Sequence, residues 1–142
     1  MKWFFVLLGL LLVACGGETA VSSPPKSEAI ACTVAYRAGV SQPIEREESI
    51  AFGDSDSEQT VAFTDLEFHA AYSAGELNNE RALRVWVTSA GDETAVFHST
   101  LYQLNLNSGP QNQFVGGHGF TGLNYSYHPT SGAEMQFWCE AN

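Results

Sequence analysis

Positive charge is the scarcest feature of this sequence of 142 residues. Six Lys and Arg stand against sixteen Asp and Glu, a formal net charge of −10. Phosphate backbones and anionic headgroups are held by clustered basic side chains, so nucleic acid is excluded as a partner, and a polybasic membrane patch with it. The acidic excess reads as a soluble, self-repelling surface. A membrane-spanning run is also lacking. The most apolar stretch, residues 3–14, holds twelve uncharged residues, where a spanning helix needs about 20. No stretch of ten or more residues carries a helical stripe, and only residues 66–80 leave room for a short helix. Cysteine is limited to three, without the closely spaced His or Cys that zinc sites use. What remains is a globular composition, 44% hydrophobic and 15% charged, of a length that fits one domain.

The N-terminus carries the most specific signal. Met1-Lys2 is a short positive segment, residues 3–12 are uninterruptedly apolar, and the small residues Val13 and Ala14 precede Cys15. This is the shape of a cleavable secretory signal. Leu12-Val13-Ala14-Cys15 resembles the lipobox of bacterial lipoproteins. The resemblance covers only the first fifteen residues. It implies cleavage before Cys15, diacylation of the Cys15 thiol and acylation of the new amine; the plainer alternative is an ordinary secretory peptide. Buried acyl chains contribute about 0.8 kcal/mol per CH₂, so two or three of them anchor a protein stably. Gly16 stands where an Asp would favour inner-membrane retention. The expected location is therefore the periplasmic face of the outer membrane in a host with two membranes, or the cell surface in a host with one. Lipidation of Cys15 would leave Cys32 and Cys139 as an even pair in an oxidising compartment, expected to form a disulfide.

Residues 1–14 are thus read as signal, 15–29 as lipidated Cys and linker, and 30–142 as the folded domain. The linker is rich in Gly, Ser and Pro, a flexible coil of about 20 Å mean span. From Ile30 onward the apolar period is two. Ile30, Cys32, Val34 and Tyr36 share a face, and residues 44–52 form a charged edge candidate. Val61 and Phe63 alternate, then the phase slips at Thr64-Asp65, which a bulge or turn must absorb. Residues 66–72, 83–87, 96–104, 114–115, 123–127 and 135–139 complete the strand series. Turn residues separate these runs at 53–54, 75–79, 91–92, 107–110 and 129–132. The expected fold is all-β, an antiparallel sandwich or small barrel of seven to eight short strands, with the disulfide linking the first to the last.

The motifs that could carry chemistry are weak. Gly117-His118-Gly119-Phe120-Thr121-Gly122 matches G-x-G-x-x-G, but a strand follows where a dinucleotide site needs a helix N-terminus. It reads as a connection that exploits positive φ or close backbone approach, and no cofactor is expected. Asp54, Asp56 and Glu58 alternate in an acidic loop, residues 54–65, which makes a calcium-binding domain one alternative; the sixth position is Gln59, where an EF-hand needs Gly. His69, His98, His118 and His128 are scattered, without metal-ligand spacing, and read as half-exposed strand or turn residues. With neither G-x-S-x-G nor H-E-x-x-H present, an enzyme would have to be a small barrel hydrolase or isomerase working in a pocket.

The aromatics suggest more. If odd positions of the final hairpin face the core, Trp138 lies outside with Glu134, Gln136, Asn124 and Ser126. By the same logic Trp86 sits beside Arg84 and Thr88. A flat ring among amides and carboxylates is how proteins stack on sugars; the competing reading buries both rings under a sheet or loop. The expected function is a non-enzymatic, lipid-anchored binding or envelope-associated module, held at the membrane by its anchor, whose partner is an envelope glycan or protein.

Overall fold

Eight strands and no helix make up the computed structural model, which describes residues 29–75, 80–104 and 110–142. The residues expected to be signal, Cys15 and all but the last residue of the expected linker lie outside the described residues, as do most of the turns expected at 75–79 and 107–110. In chain order the strands are β1 (Ile30–Arg37), β2 (Arg46–Phe52), β3 (Ser57–Ala62), β4 (Leu66–Ser73), β5 (Ala82–Ser89), β6 (Asp92–Gln103), β7 (Asn124–Tyr127) and β8 (Glu134–Ala141). They form two antiparallel four-stranded sheets, β2-β1-β8-β7 and β3-β4-β5-β6.

The order has a simple logic. Followed around the perimeter, the strands succeed one another as they do in the chain, and β8 closes the circuit by pairing with β1 along its full length. The circuit is interrupted only where β2 gives way to β3 and β6 to β7, so a meander is flattened into a sandwich. Side chains bridge both corners. Arg46 of β2 donates to the Ala62 carbonyl of β3 at 3.0 Å and lies 5.0 Å over the Phe63 ring. At the other corner Phe97 meets His128 edge-on at 5.5 Å.

Alternation decides which residues fill the space between the sheets. Ile30, Cys32, Val34 and Tyr36 of β1 and Met135, Phe137 and Cys139 of β8 meet Phe68, Leu83, Val85 and Val87 of the opposite sheet, all essentially inaccessible. Phe68 and Phe137 pack across the gap at 5.1 Å, and Tyr36 stacks on Phe63 at 5.0 Å. Each such side chain contributes about 1.5–3 kcal/mol by leaving water.

Residues 66–73 form strand β4, as the alternation predicts, and hold no short helix, because alternate positions face the core. The phase slip at Thr64-Asp65 is absorbed, as expected, by a turn joining β3 to β4, with the Phe63 amide bonded to the Leu66 carbonyl at 2.9 Å; a separate irregularity lies between β5 and β6, where Val87 pairs His98 but Thr88 pairs Val96. Phe114 and Val115, expected as a strand, lie in a bend and are 47% and 95% exposed.

Cys32 and Cys139 are directly opposed on β1 and β8 and joined by a disulfide across 107 residues of chain. Closing so long a loop removes much of the unfolded chain's freedom. The substitution Cys139→Ser should lower stability by about 2–5 kcal/mol, read as a shifted urea midpoint. An unchanged midpoint would show that the β1–β8 closure does not depend on the covalent link.

Candidate binding face

Outside the core, each sheet presents its other face to solvent, and the two faces differ in chemistry. On the β1-containing sheet the outward positions of β8 are Glu134, Gln136, Trp138 and Glu140, and those of β1 are Ala31, Thr33, Ala35 and Arg37. Ser49 and Glu47 of β2 lie opposite Thr33 and Ala35. The register of β7 supplies the rest. Tyr125 pairs Gln136 and Tyr127 pairs Glu134, so both tyrosines face outward, 46% and 50% exposed.

That register corrects the expected parity of β7. Asn124 and Ser126 pair Phe137 and Met135 and therefore turn inward, away from Trp138. Ser126 is buried. The Asn124 amide donates to the Gly122 carbonyl at 2.9 Å and to the Thr121 carbonyl at 3.4 Å, holding the entry to β7 in place. Of the residues singled out from the sequence, Trp138, Gln136 and Glu134 share this face. Asn124 does not, and Trp86 belongs to the other sheet. The two tyrosines were missed because Tyr counts as apolar in a period-two reading.

Glu134 departs from expectation in another way. It sits on the outer face yet is only 2% exposed. Arg37 covers it with an ion pair at 2.7 Å, and Gln136 donates to the same carboxylate at 2.6 Å. The Tyr127 hydroxyl completes the group by hydrogen bonding to Glu134. Burial opposes ionisation here, but the bonds from Arg37, Gln136 and Tyr127 outweigh it and hold the carboxyl below its ordinary range. The Tyr127 hydroxyl is pushed up, by desolvation first and then by the Glu134 charge, which keeps it protonated as a donor. This network pins Tyr127 toward β8 and makes one end of the face rigid.

The Gly-rich segment walls the other end. It forms no helix N-terminus; it runs beside β8 as an improvised continuation of β7. The Phe120 amide donates to the Cys139 carbonyl at 3.0 Å, and the Cys139 amide donates to Thr121 Oγ1 at 2.8 Å. Gly119 has φ +60°, and a Cβ there would overlap the Cys139 carbonyl oxygen, so only glycine allows this approach. His118 is thereby placed edge-on to Trp138 at 5.3 Å, its Nδ1 donating to the Val115 carbonyl at 3.2 Å. Trp138 is half-buried.

On the opposite sheet Leu101 and Val96 are exposed, but the large ring is engaged by its own neighbours. Trp86 stacks on His69 at 4.9 Å with planes 3° apart, and the Arg84 guanidinium lies over the indole at 4.8 Å. His69, expected to be half-exposed, is buried, with a threonine hydroxyl at each ring nitrogen, Thr60 at 3.2 Å and Thr88 at 3.0 Å. The Trp86 ring is thus engaged by its own neighbours. A shallow cleft of about 440 Å³ opens between Tyr36, Glu45, Arg46, Ala62, Phe63 and Thr64, and its polar groups are likewise satisfied internally. Tyr36 donates to Asp65 at 2.8 Å, its hydroxyl pushed up to about 12 by burial and by Asp65, and Arg46 is paired with Glu48. In the acidic loop, Asp56 accepts the Ala74 amide at 2.6 Å. Among the described residues no three His, Cys, Asp or Glu converge as a metal site would require, so Asp54, Asp56 and Glu58 do not assemble into one.

In comparisons with known proteins, no family model, no curated protein and no solved structure matches the chain. The face is interpretable through its own chemistry alone.

The Arg37–Glu134 pair predicts an acid dependence. A carboxyl held below its unfolded value stabilises the fold above the ordinary carboxylate range, and that contribution is lost as pH falls through the folded value. Glu134→Gln should therefore flatten the loss of stability in acid and cost about 1–3 kcal/mol near pH 7, where Arg37 is left without its partner. Denaturant titrations at pH 7 and pH 3 check this; equal midpoint differences at both would show that the carboxylate charge is irrelevant.

Proposed function

We propose that this chain is a lipid-anchored, extracytoplasmic binding module whose ligand, a polar glycan of the envelope, lies on the outer face of the β1-containing sheet. One observation carries the binding part. Tyr125, Tyr127 and Trp138 stand together on a face otherwise lined by Gln136, Thr33, Arg37 and Glu47. Aromatic rings supply flat apolar area at little entropic cost, and the amide and hydroxyl groups around them suit hydroxyl-rich ligands. A core-like protein interface would instead want a contiguous apolar patch. The anchoring part rests on Leu12-Val13-Ala14-Cys15 after the apolar run, and the disulfide accords with an oxidising compartment.

The division of labour is physical. The acyl chains would keep the module at the membrane, the linker would let it reach outward by about 20 Å, and weak contacts on the face would gain from the raised local concentration.

Two experiments separate these parts. Expressed in a bacterium, the protein should incorporate labelled palmitate and partition into detergent, and Cys15→Ser should abolish both; undiminished labelling in that variant refutes the anchor. In affinity electrophoresis through gels cast with neutral polysaccharides, the wild-type protein should be retarded. Trp138→Ala should lose most of that retardation while melting within a few degrees of wild type, since a half-buried surface ring adds little to the core. Unretarded wild-type protein would refute the glycan reading, and a Trp138→Ala protein that unfolds would show that the ring is structural.

A further inference from the structure

The spacing of the three rings carries more than their presence. Glu134, Gln136 and Trp138 are successive outward positions of β8, and Tyr127 and Tyr125 stand opposite the first two. Outward positions on an antiparallel strand recur about every 7 Å. The rings of Tyr127, Tyr125 and Trp138 therefore form three steps of a row running along β7 and β8. First to last they span about 14 Å, longer than one pyranose ring. Beside the row the outward positions of β1 are small, with Thr33 opposite Trp138 and Ala35 opposite Gln136. Both ends are fixed. The Glu134 network holds Tyr127, and His118 abuts Trp138.

Charge narrows the ligand further. Arg37 is neutralised by Glu134, and the remaining charged groups of the face, Glu47 and Glu140, are both acidic. A uronate or phosphate polymer would meet repulsion here, whereas an uncharged chain would not.

Resting on the reading of this face as a glycan site, we propose that it binds an extended, linear, uncharged glycan of at least three sugar units, lying parallel to β7 and β8 along the row of rings. Single sugars would engage one ring at a time and bind weakly. Added units would gain contacts until the row is spanned.

Calorimetry on the purified full-length protein tests this with two neutral series of one to six units, β-linked N-acetylglucosamine and β-linked glucose, and with acidic oligogalacturonate as contrast. The expected result in at least one neutral series is affinity rising several-fold as units are added until the row is spanned, at the third or fourth, and level thereafter, with oligogalacturonate bound more weakly. Tyr127→Ala should reduce trimer affinity to that of the dimer and leave the monosaccharide unaffected. Length-independent affinity that is still lost in Trp138→Ala would overturn the extended site while the simpler glycan reading stands. Tighter binding of oligogalacturonate would overturn the charge argument, and no binding in either neutral series would remove both proposals.

Discussion

The pairing of β8 with β1 is the constraint on which the rest of the structure depends. A meander of eight antiparallel strands has two free ends, and only a long-range contact can close it. Here Ile30 through Arg37 pair in order with Ala141 back to Glu134, and the Cys32–Cys139 bridge joins the partners directly. Because both sulfurs point into the sandwich, the pairing also fixes every other side chain on the two strands. Val34, Tyr36, Met135 and Phe137 are committed to the core, while Thr33, Ala35, Gln136 and Trp138 are committed to the outside. A slip of one residue would invert both sets and bury Glu134 and Gln136 against Phe68.

Functional asymmetry follows from what each outer face does with its aromatics. On one sheet Trp86, His69 and Arg84 stack on each other, and the hydroxyls of Thr60 and Thr88 occupy the imidazole. That arrangement occupies the Trp86 neighbourhood with internal contacts, leaving Leu101 and Val96 as the exposed apolar groups of that sheet. On the other sheet the polar groups are gathered at Glu134, and the tyrosine rings remain open beside them. Because the Glu134 network already holds Tyr127, little flexibility is lost on binding.

Much of this was legible in the sequence, and what was not has identifiable causes. Alternation in residues 30–36 and 135–139 marks the two closing strands, because both have one face in the core and one in solvent. The turns at Gly91 and Gly132 adopt positive φ, and their glycines announce it. Partnership of Cys32 with Cys139 was readable because assigning Cys15 to the expected anchor leaves these two cysteines as an even pair. The facing of β7 was hidden. Tyr127 pairs Glu134, so odd positions of one strand oppose even positions of the other, and parity read along each strand separately cannot reveal this. Tyrosine tolerates either face, and β7 is a short edge strand. Glu134 was hidden for another reason: its cover comes from Arg37, 97 residues away. Phe114 and Val115 look like strand residues by composition, but Gly116, Gly117 and Gly119, all at positive φ, shape the chain beyond them into a loop.

The proposed ligand engages the outer face that carries Trp138 and leaves the face that carries Trp86 untouched. Two-dimensional NMR of the isotope-labelled protein during titration with a neutral β-linked trisaccharide tests that claim most directly. The Trp138 indole and the backbone amides of Tyr125, Tyr127 and Gln136 should shift together and saturate, while the Trp86 indole stays in place. Shifts centred on Trp86 and Arg84, or no shift at either indole, would contradict it.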